Sequence, residues 1–107
     1  MKTIDKKELK RKLDGGEDFA LIEVLDEEDF KAGHIKGAIH MSVTRIGMMA
    51  KKKFDKDYEI VVYCADEDCG ASPAAAEKLV KMGFENVYDY PGGKRDWYEA
   101  GYPIVKN

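Results

Sequence analysis

The sequence has 107 residues, of which 44% are hydrophobic and 36% are charged, and its formal net charge is −3. This length predicts one domain over residues 1–107, large enough to bury an apolar core without a disulfide or a metal. The interspersed charges disfavour a nucleic-acid partner, and no apolar run approaches the about 20 residues that cross a bilayer, so we expect no membrane partner. Two cysteines and no secretory signal predict reduced thiols in the cytoplasm.

The first half of the chain predicts short helices alternating with short strands. Residues 5–13 carry Leu9 and Leu13 at helical spacing among lysines, and Gly15 and Gly16 end that helix. Residues 19–24 form a mostly apolar run of strand length, and residues 26–32 predict a short helix that ends at Gly33. A second strand over 38–41 and a helix over 44–53 follow.

The second half continues this alternation. Residues 60–63 are apolar and mostly β-branched, which is typical of a strand buried on both faces. Ser72 is a good N-cap, Pro73 suits the first helical position, and Gly83 suits a left-handed residue after the helix. A strand over 86–90 and a helix over 92–100 complete an α/β domain with a mostly parallel sheet and helices on both faces.

Cys64 follows the buried strand over 60–63 and precedes a short loop and a well-started helix. This order places Cys64 at the carboxyl edge of the sheet, where ligands bind in such folds. Free loop N–H groups and the positive end of the helix favour the thiolate, which is the nucleophilic form of cysteine. A cysteine that is merely buried at a strand end explains the same spacing, and both interpretations stay open.

Several segments, taken in order, resemble the single-domain rhodanese-like sulfurtransferase family. Residues 21–24 resemble its early strand, and residues 30–40 resemble its aromatic residue followed by Gly-His-Ile-x-Gly-Ala. Residues 61–64 resemble the strand that leads to the catalytic cysteine, and residues 83–87 the segment after the active-site helix. Residues 92–97 resemble its late Gly-Gly-x-x-x-Trp signature. The resemblance covers nearly the whole chain.

The resemblance implies a rhodanese-like fold with a central, mostly parallel five-stranded sheet. It implies that a Cys64 thiolate takes a sulfane sulfur from a donor and passes it to a thiophilic acceptor. The donor would be a small molecule such as thiosulfate or a persulfide, or else a protein. The substrate-binding loop would consist of Ala65, Asp66, Glu67, Asp68, Cys69, Gly70, Ala71 and Ser72. Neither a metal nor an organic cofactor is implied.

The loop departs from the family pattern in its charge. Arginines usually stand just after the catalytic cysteine and near the end of the loop, where this chain has Ala65 and Cys69. Three consecutive acids, residues 66–68, stand between them, so we expect weaker binding of the thiosulfate dianion. The acids either recognise a protein, neutral or cationic sulfur species, or simply solvate an exposed loop.

The remaining alternatives concern the second cysteine and the class of protein. Cys69 is a possible redox partner that resolves a Cys64 persulfide as an internal disulfide, or a plain small loop residue. The two cysteines, five residues apart, do not have zinc-site spacing. A non-catalytic or thiol-redox regulatory binding module, recognising a protein through the acidic loop, is the alternative function. A phosphatase or arsenate reductase is disfavoured because those reactions need a loop arginine.

Four further residues are candidates for a role near the site or for a purely structural one. We expect His34 to hold its segment together through a hydrogen bond, and Trp97 to pack the last helix. Lys94 and Arg95 follow the last strand and its glycine turn. They either reach the rim of the site and supply positive charge, or they face solvent.

Overall fold

The computed structural model describes residues 2–107, and a five-stranded sheet, parallel at every strand pair, forms its centre. Its strands are β1 (Lys2–Thr3), β2 (Ala20–Glu23), β4 (Ile39–His40), β5 (Ile60–Tyr63) and β6 (Val87–Tyr90), in the order β1-β6-β5-β2-β4. Two further strands, β3 (His34–Ile35) and β7 (Ile104–Val105), pair antiparallel beside it. The predicted α/β class with a five-stranded parallel sheet is confirmed.

Helices cover both faces of the sheet and create two apolar cores. They are α1 (Lys6–Asp14), α2 (Glu27–Ala32), α3 (Ile46–Lys53), α4 (Ala71–Lys81) and α5 (Gly93–Glu99). Alternate strand residues point to opposite faces, so Ile22 and Val62 pack with α3 and α4, whereas Leu21 and Val61 pack with α1 and α5. Between residues 2 and 107, no helix has both the length and the apolar character needed to cross a bilayer.

The predicted elements agree with the structure except at the shortest strands and one helix start. β5 has its predicted bounds, and Gly83 has a left-handed φ of 98° after α4. The N-cap assigned to Ser72 is wrong, because α4 begins at Ala71 with Gly70 as its N-cap. The Ser72 side chain is buried against Cys64, 3.5 Å from its sulfur, instead of closing the helix end.

A buried polar network fixes the ends of β2 and β5. Glu23, fully buried, accepts hydrogen bonds from the Tyr63 hydroxyl at 2.9 Å and from Lys94 Nζ at 3.1 Å. Lys94 also donates to the Asp29 carbonyl, and the Tyr63 hydroxyl accepts from the Ile35 amide. Burial, reinforced by the Glu23 charge, raises the pKa of Tyr63, which therefore stays a neutral donor. Breaking such a buried ion pair costs about 3–5 kcal/mol, so the network holds both strand ends in place.

The first turn of α5 is bonded directly to the chain that leaves β5. The amides of Lys94 and Arg95 donate to the carbonyls of Cys64 and Ala65 at 2.9 and 2.8 Å. Gly93 precedes them with φ of 69°, and a Cβ there would lie 2.7 Å from the Cys64 carbonyl oxygen. Both the backbone angle and the close approach require glycine at this position.

Asp89 brings a carboxyl group into the sheet beside Ser72. It is 4% exposed, lies opposite Val62 in the pairing of β6 with β5, and its Oδ1 has no hydrogen-bond partner within residues 2–107. Burial raises the pKa of Asp89 above its ordinary value, and a hydrogen bond from the Ser72 hydroxyl opposes that rise to a smaller extent. The charged form of Asp89 is therefore unfavourable in the folded protein.

Replacing Gly93 with Ala should destabilise the protein more than the same change at Gly101. Both glycines have positive φ, which costs an L residue about 1–2 kcal/mol, but no atom lies within 4 Å of a Cβ at Gly101. Denaturant unfolding of Gly93→Ala and Gly101→Ala measures the difference, which reports the clash with the Cys64 carbonyl. Equal losses of unfolding free energy in the two variants would show that the close approach is not rigid.

Replacing Asp89 with Asn should raise stability most at neutral pH. Because the folded pKa of Asp89 is raised, the wild type loses stability as pH rises through that pKa and regains it as pH falls toward the ordinary value of 3.8. Denaturant unfolding across this pH range measures the free energy of unfolding of Asp89→Asn and of the wild type. The difference between them, variant minus wild type, should shrink as pH falls. A difference that is constant, or that grows in acid, contradicts the raised pKa.

Candidate functional site

The Cys64 sulfur lies between the apolar core and the loop at the carboxyl edge of the sheet. The residue directly follows β5 and is only 1% exposed. Its side chain joins the core on the α3 and α4 face, yet its Sγ also lies 3.4 Å from the Cys69 carbonyl oxygen and 3.5 Å from Ser72 Oγ. The burial expected of a strand-end cysteine and the loop-edge position expected of a nucleophile are thus both present.

Cys69 returns to Cys64 across the loop. The two sulfur atoms are placed as a disulfide, and the Cα atoms are 6.4 Å apart, within the range that a disulfide spans. A turn at Asp66 produces this return, because the Asp66 carbonyl accepts from the Cys69 amide at 3.2 Å. The Asp66 side chain also accepts from the Asp68 amide at 3.0 Å. The sequence leaves Asp66 with two roles, recognition or solvation. The structure shows that it shapes the loop.

The rest of the loop offers backbone donors and exposed acids. The amides of Ala65, Asp66, Glu67 and Gly70 have no acceptor within the described part of the chain. Glu67 and Asp68 are exposed, whereas Ala65 and Asp66 are half-buried. Uncommitted amides favour a bound anion, and the exposed carboxylates oppose its approach.

Two clefts flank the loop. One, of about 470 Å³, is lined among others by Ala65, Lys94, Arg95 and Tyr98. The other has a mostly acidic lining that consists of Asp66, Glu67, Asp68, Gly92, Arg95, Asp96 and Glu99. Cys64 lines neither cleft, so in this conformation the loop separates its sulfur from both.

The basic residues expected at the rim do reach it, but each is paired with a carboxylate. Lys94 is held by Glu23, and Arg95 Nε lies 3.4 Å from Glu99 on the same helix. Neither side chain contacts the Cys64 sulfur. The charge of Lys94 is thus balanced by a buried carboxylate, whereas Arg95 is exposed and its surface pair with Glu99 is weak.

The histidines and the tryptophan serve the fold. The His34 ring bonds to the Phe30 carbonyl at 2.8 Å and stacks on the Phe30 ring, as expected of a structural histidine. His40 bonds to the Leu25 carbonyl at 2.6 Å. Trp97 is buried and donates to the Pro103 carbonyl, so it packs the last helix. Within residues 2–107, no group of three or more His, Cys, Asp or Glu side chains is arranged to hold a metal.

Sequence reasoning missed two buried carboxylates near the site. Glu23 ends the apolar run of β2, and Asp89 interrupts the apolar run of β6. A charged residue inside an apolar strand is the signal that points to each, because a buried carboxylate needs a partner or a raised pKa. Their partners, Lys94 and Ser72, are far away in sequence and become visible only in the fold.

Comparisons with known proteins agree with this fold. A sequence model of the rhodanese-like domain family matches residues 5–100. The thiosulfate sulfurtransferase GlpE of Pseudoalteromonas translucida is 38% identical over 87 residues, which cover 80% of this chain and 78% of that protein. The Vibrio cholerae protein of the same name is 32% identical over 85 residues, covering 78% of this chain and 76% of its own.

A solved structure shows the same architecture over the full chain. The rhodanese-like domain of the Anabaena protein Alr3790 superposes with a TM-score of 0.90 at 30% identity, covering all of this chain and 80% of the other. Family match, sequence identity and shared topology agree on one assignment. The chain therefore belongs to the rhodanese-like family of sulfurtransferases.

Proposed function

We propose that this chain transfers a sulfane sulfur through a persulfide on Cys64. The observation that carries the proposal is the position of the Cys64 sulfur, which follows a buried parallel strand and lies under a loop with four uncommitted amides. The sulfurtransferase relatives support the reaction class. A thiolate nucleophile beside backbone donors is what sulfur transfer requires.

The reaction proceeds in two displacements at sulfur. The Cys64 thiolate attacks the sulfane sulfur of the donor, the donor's S–S bond breaks, and the leaving group keeps the bonding pair; with thiosulfate this group is sulfite. A nucleophilic acceptor then attacks the outer sulfur of the Cys64 persulfide, and the Cys64 thiolate leaves. No net oxidation is needed, and the enzyme returns to its starting state.

Ser72 and the loop amides stabilise the sulfur anions in this scheme. The Ser72 hydroxyl, 3.5 Å from Cys64 Sγ, has one proton, which it can donate to the Cys64 thiolate in place of Asp89. The amides of Ala65, Asp66 and Glu67 are free to donate to the persulfide. The first turn of α4 adds unpaired amides and the positive end of its dipole at the same edge.

The charge of the loop sets the choice of donor. Thiosulfate is a dianion, and the exposed Glu67 and Asp68 repel it, whereas Lys94 and Arg95 are already paired. We therefore propose that thiosulfate is a slow donor and that small persulfides, which carry at most one negative charge, or a protein donor react faster. The reaction requires a reduced Cys64 at the start of each turnover, so we propose that the protein acts in a reducing compartment such as the cytoplasm.

A non-catalytic binding module remains the alternative, favoured by the 1% exposure of Cys64. In that case the acidic residues of the loop would dock a partner and the cysteine would stay unmodified. Sulfur transfer requires the loop to move aside, since Cys64 lines neither neighbouring cleft. Direct detection of a sulfur adduct separates the two functions.

The reduced Cys69→Ser variant should gain one sulfur atom when it is treated with a sulfane donor. Removing the second thiol leaves Cys64 as the only acceptor, since the chain has two cysteines. Intact-mass spectra after separate treatment with thiosulfate, polysulfide and a small persulfide measure the adduct. The Cys64→Ser, Cys69→Ser double variant is the control and should gain none. No adduct with any donor, in a variant that still folds, contradicts the proposed function.

Replacing Ala65 with Arg should speed reaction with thiosulfate. One added positive charge about 6 Å from the dianion, at an effective dielectric of about 40, contributes about 2.8 kcal/mol, or about a hundredfold in rate. Ala65→Gln is the matched control for size without charge. Steady-state kcat/KM with thiosulfate should rise for Arg over Gln, and it should rise less with a small persulfide, which carries at most one negative charge. Equal rates for Arg and Gln contradict the electrostatic account of donor choice.

A further inference from the structure

We propose that Cys69 is a second catalytic thiol, which discharges the Cys64 persulfide inside the same loop and releases hydrosulfide. The inference rests on the proposed function, because it begins from that persulfide. Its carrying observation is that the loop brings the Cα atoms of Cys64 and Cys69 to 6.4 Å, a separation that a disulfide can span, with the Cys69 side chain packed against the core cluster that contains Cys64. The product is then hydrosulfide and an internal disulfide instead of a sulfurated external acceptor.

The loop is folded to bring the two thiols together. Cys69 lies five residues after Cys64, yet their Cα atoms are 6.4 Å apart. The Asp66 turn produces this approach through its carbonyl bond to the Cys69 amide and its side-chain bond to the Asp68 amide. Cys69 is half-buried and packs against the core cluster that contains Cys64, so its side chain is directed inward. A plain solvent-facing loop residue would not show this packing.

The chemistry balances without an external oxidant. The Cys69 thiolate attacks Cys64 Sγ, the bond between Cys64 Sγ and the outer sulfur breaks, and hydrosulfide leaves with the bonding pair. The sulfane sulfur is reduced by two electrons, and the two thiols are oxidised to the Cys64–Cys69 disulfide. A dithiol reductant then exchanges with this disulfide and restores both thiols, becoming oxidised itself.

The electrostatics of the loop favour an internal acceptor over an external anion. Sulfite and other anionic acceptors must approach past the exposed carboxylates of Glu67 and Asp68. The Cys69 side chain packs against the core, on the inner side of these carboxylates, so it reaches Cys64 without passing them. Because its attack is intramolecular, its effective concentration exceeds that of any dilute external thiol.

A single-turnover experiment tests the inference on the whole chain. Reduced wild type, freed of reductant under anaerobic conditions, is mixed with one equivalent of thiosulfate or of a small persulfide. Hydrosulfide release and intact mass are then followed in time. The wild type should release close to one hydrosulfide per chain and end two hydrogen atoms lighter. A sample without donor must keep its mass, which excludes oxidation by residual air.

Cys69→Ser should keep the added sulfur and release hydrosulfide at least about tenfold more slowly than the wild type, because only intermolecular attack remains. Cys69→Ala is a second variant for the same assay. Thermal unfolding of both variants shows whether either substitution causes a folding defect. A wild type that retains its persulfide, or a Cys69→Ser variant that releases hydrosulfide as fast, overturns the role of Cys69. If Cys69→Ser and Cys69→Ala fold but gain no sulfur from any donor, the Cys64 persulfide itself is contradicted.

Discussion

Two backbone hydrogen bonds, from the amides of Lys94 and Arg95 to the carbonyls of Cys64 and Ala65, fix the chain where it leaves the central strand. These carbonyls are bonded to the first turn of α5, while four amides of the following loop, those of Ala65, Asp66, Glu67 and Gly70, have no acceptor within residues 2–107. Gly93 permits the contact because a side chain there would meet the Cys64 carbonyl. The position of the reactive sulfur thus depends on a helix that follows it by about thirty residues in sequence.

The same turn of α5 also determines the charge at the site. Lys94 extends from it into the sheet and pairs with the fully buried Glu23, which in turn binds the Tyr63 hydroxyl at the end of the strand before Cys64. A lysine held in this way stabilises the fold but contributes little free positive charge to the loop. In the proposed function the loop therefore binds anions through its amides and Ser72, while its exposed carboxylates disfavour anionic donors. On that proposal, Lys94 links the stability of the fold to the choice of donor.

The sequence predicted those elements whose hydrophobic pattern is long enough to read. The strand over 60–63, the helix ended by Gly83 and the alternation of strands with helices were all visible in the pattern. Strands β1, β3 and β7 were missed, since each has two residues and two residues carry no period; the equally short β4 was predicted, but with bounds of 38–41 that are too wide. Ser72 was assigned to the helix end because local propensity favours it there, but a buried contact with Cys64 determines its place.

The residues of the candidate site likewise fall into those that the sequence predicts and those that only the fold brings together. Cys64 and its loop were predicted from local order and from family resemblance, whereas Glu23 with Lys94 and Asp89 with Ser72 depend on contacts between distant segments. The spacing leaves Cys69 as either a resolving thiol or a plain loop residue, and the turn at Asp66, which brings it near Cys64, depends on hydrogen bonds that the spacing does not reveal. The acids of the loop, similar in sequence, have different surroundings in the fold: Asp66 shapes the turn, and the next two face solvent.

The central claim is that main-chain donors of the loop converge on sulfur carried by Cys64. A crystal structure of the Cys69→Ser variant after treatment with a sulfane donor tests it most directly. The account predicts an additional sulfur atom on Cys64 Sγ, within hydrogen-bond distance of amides between residues 65 and 72 and close to the Ser72 hydroxyl. An unmodified Cys64 still closed off beneath the loop, or an added sulfur whose neighbours include none of these amides, would contradict it.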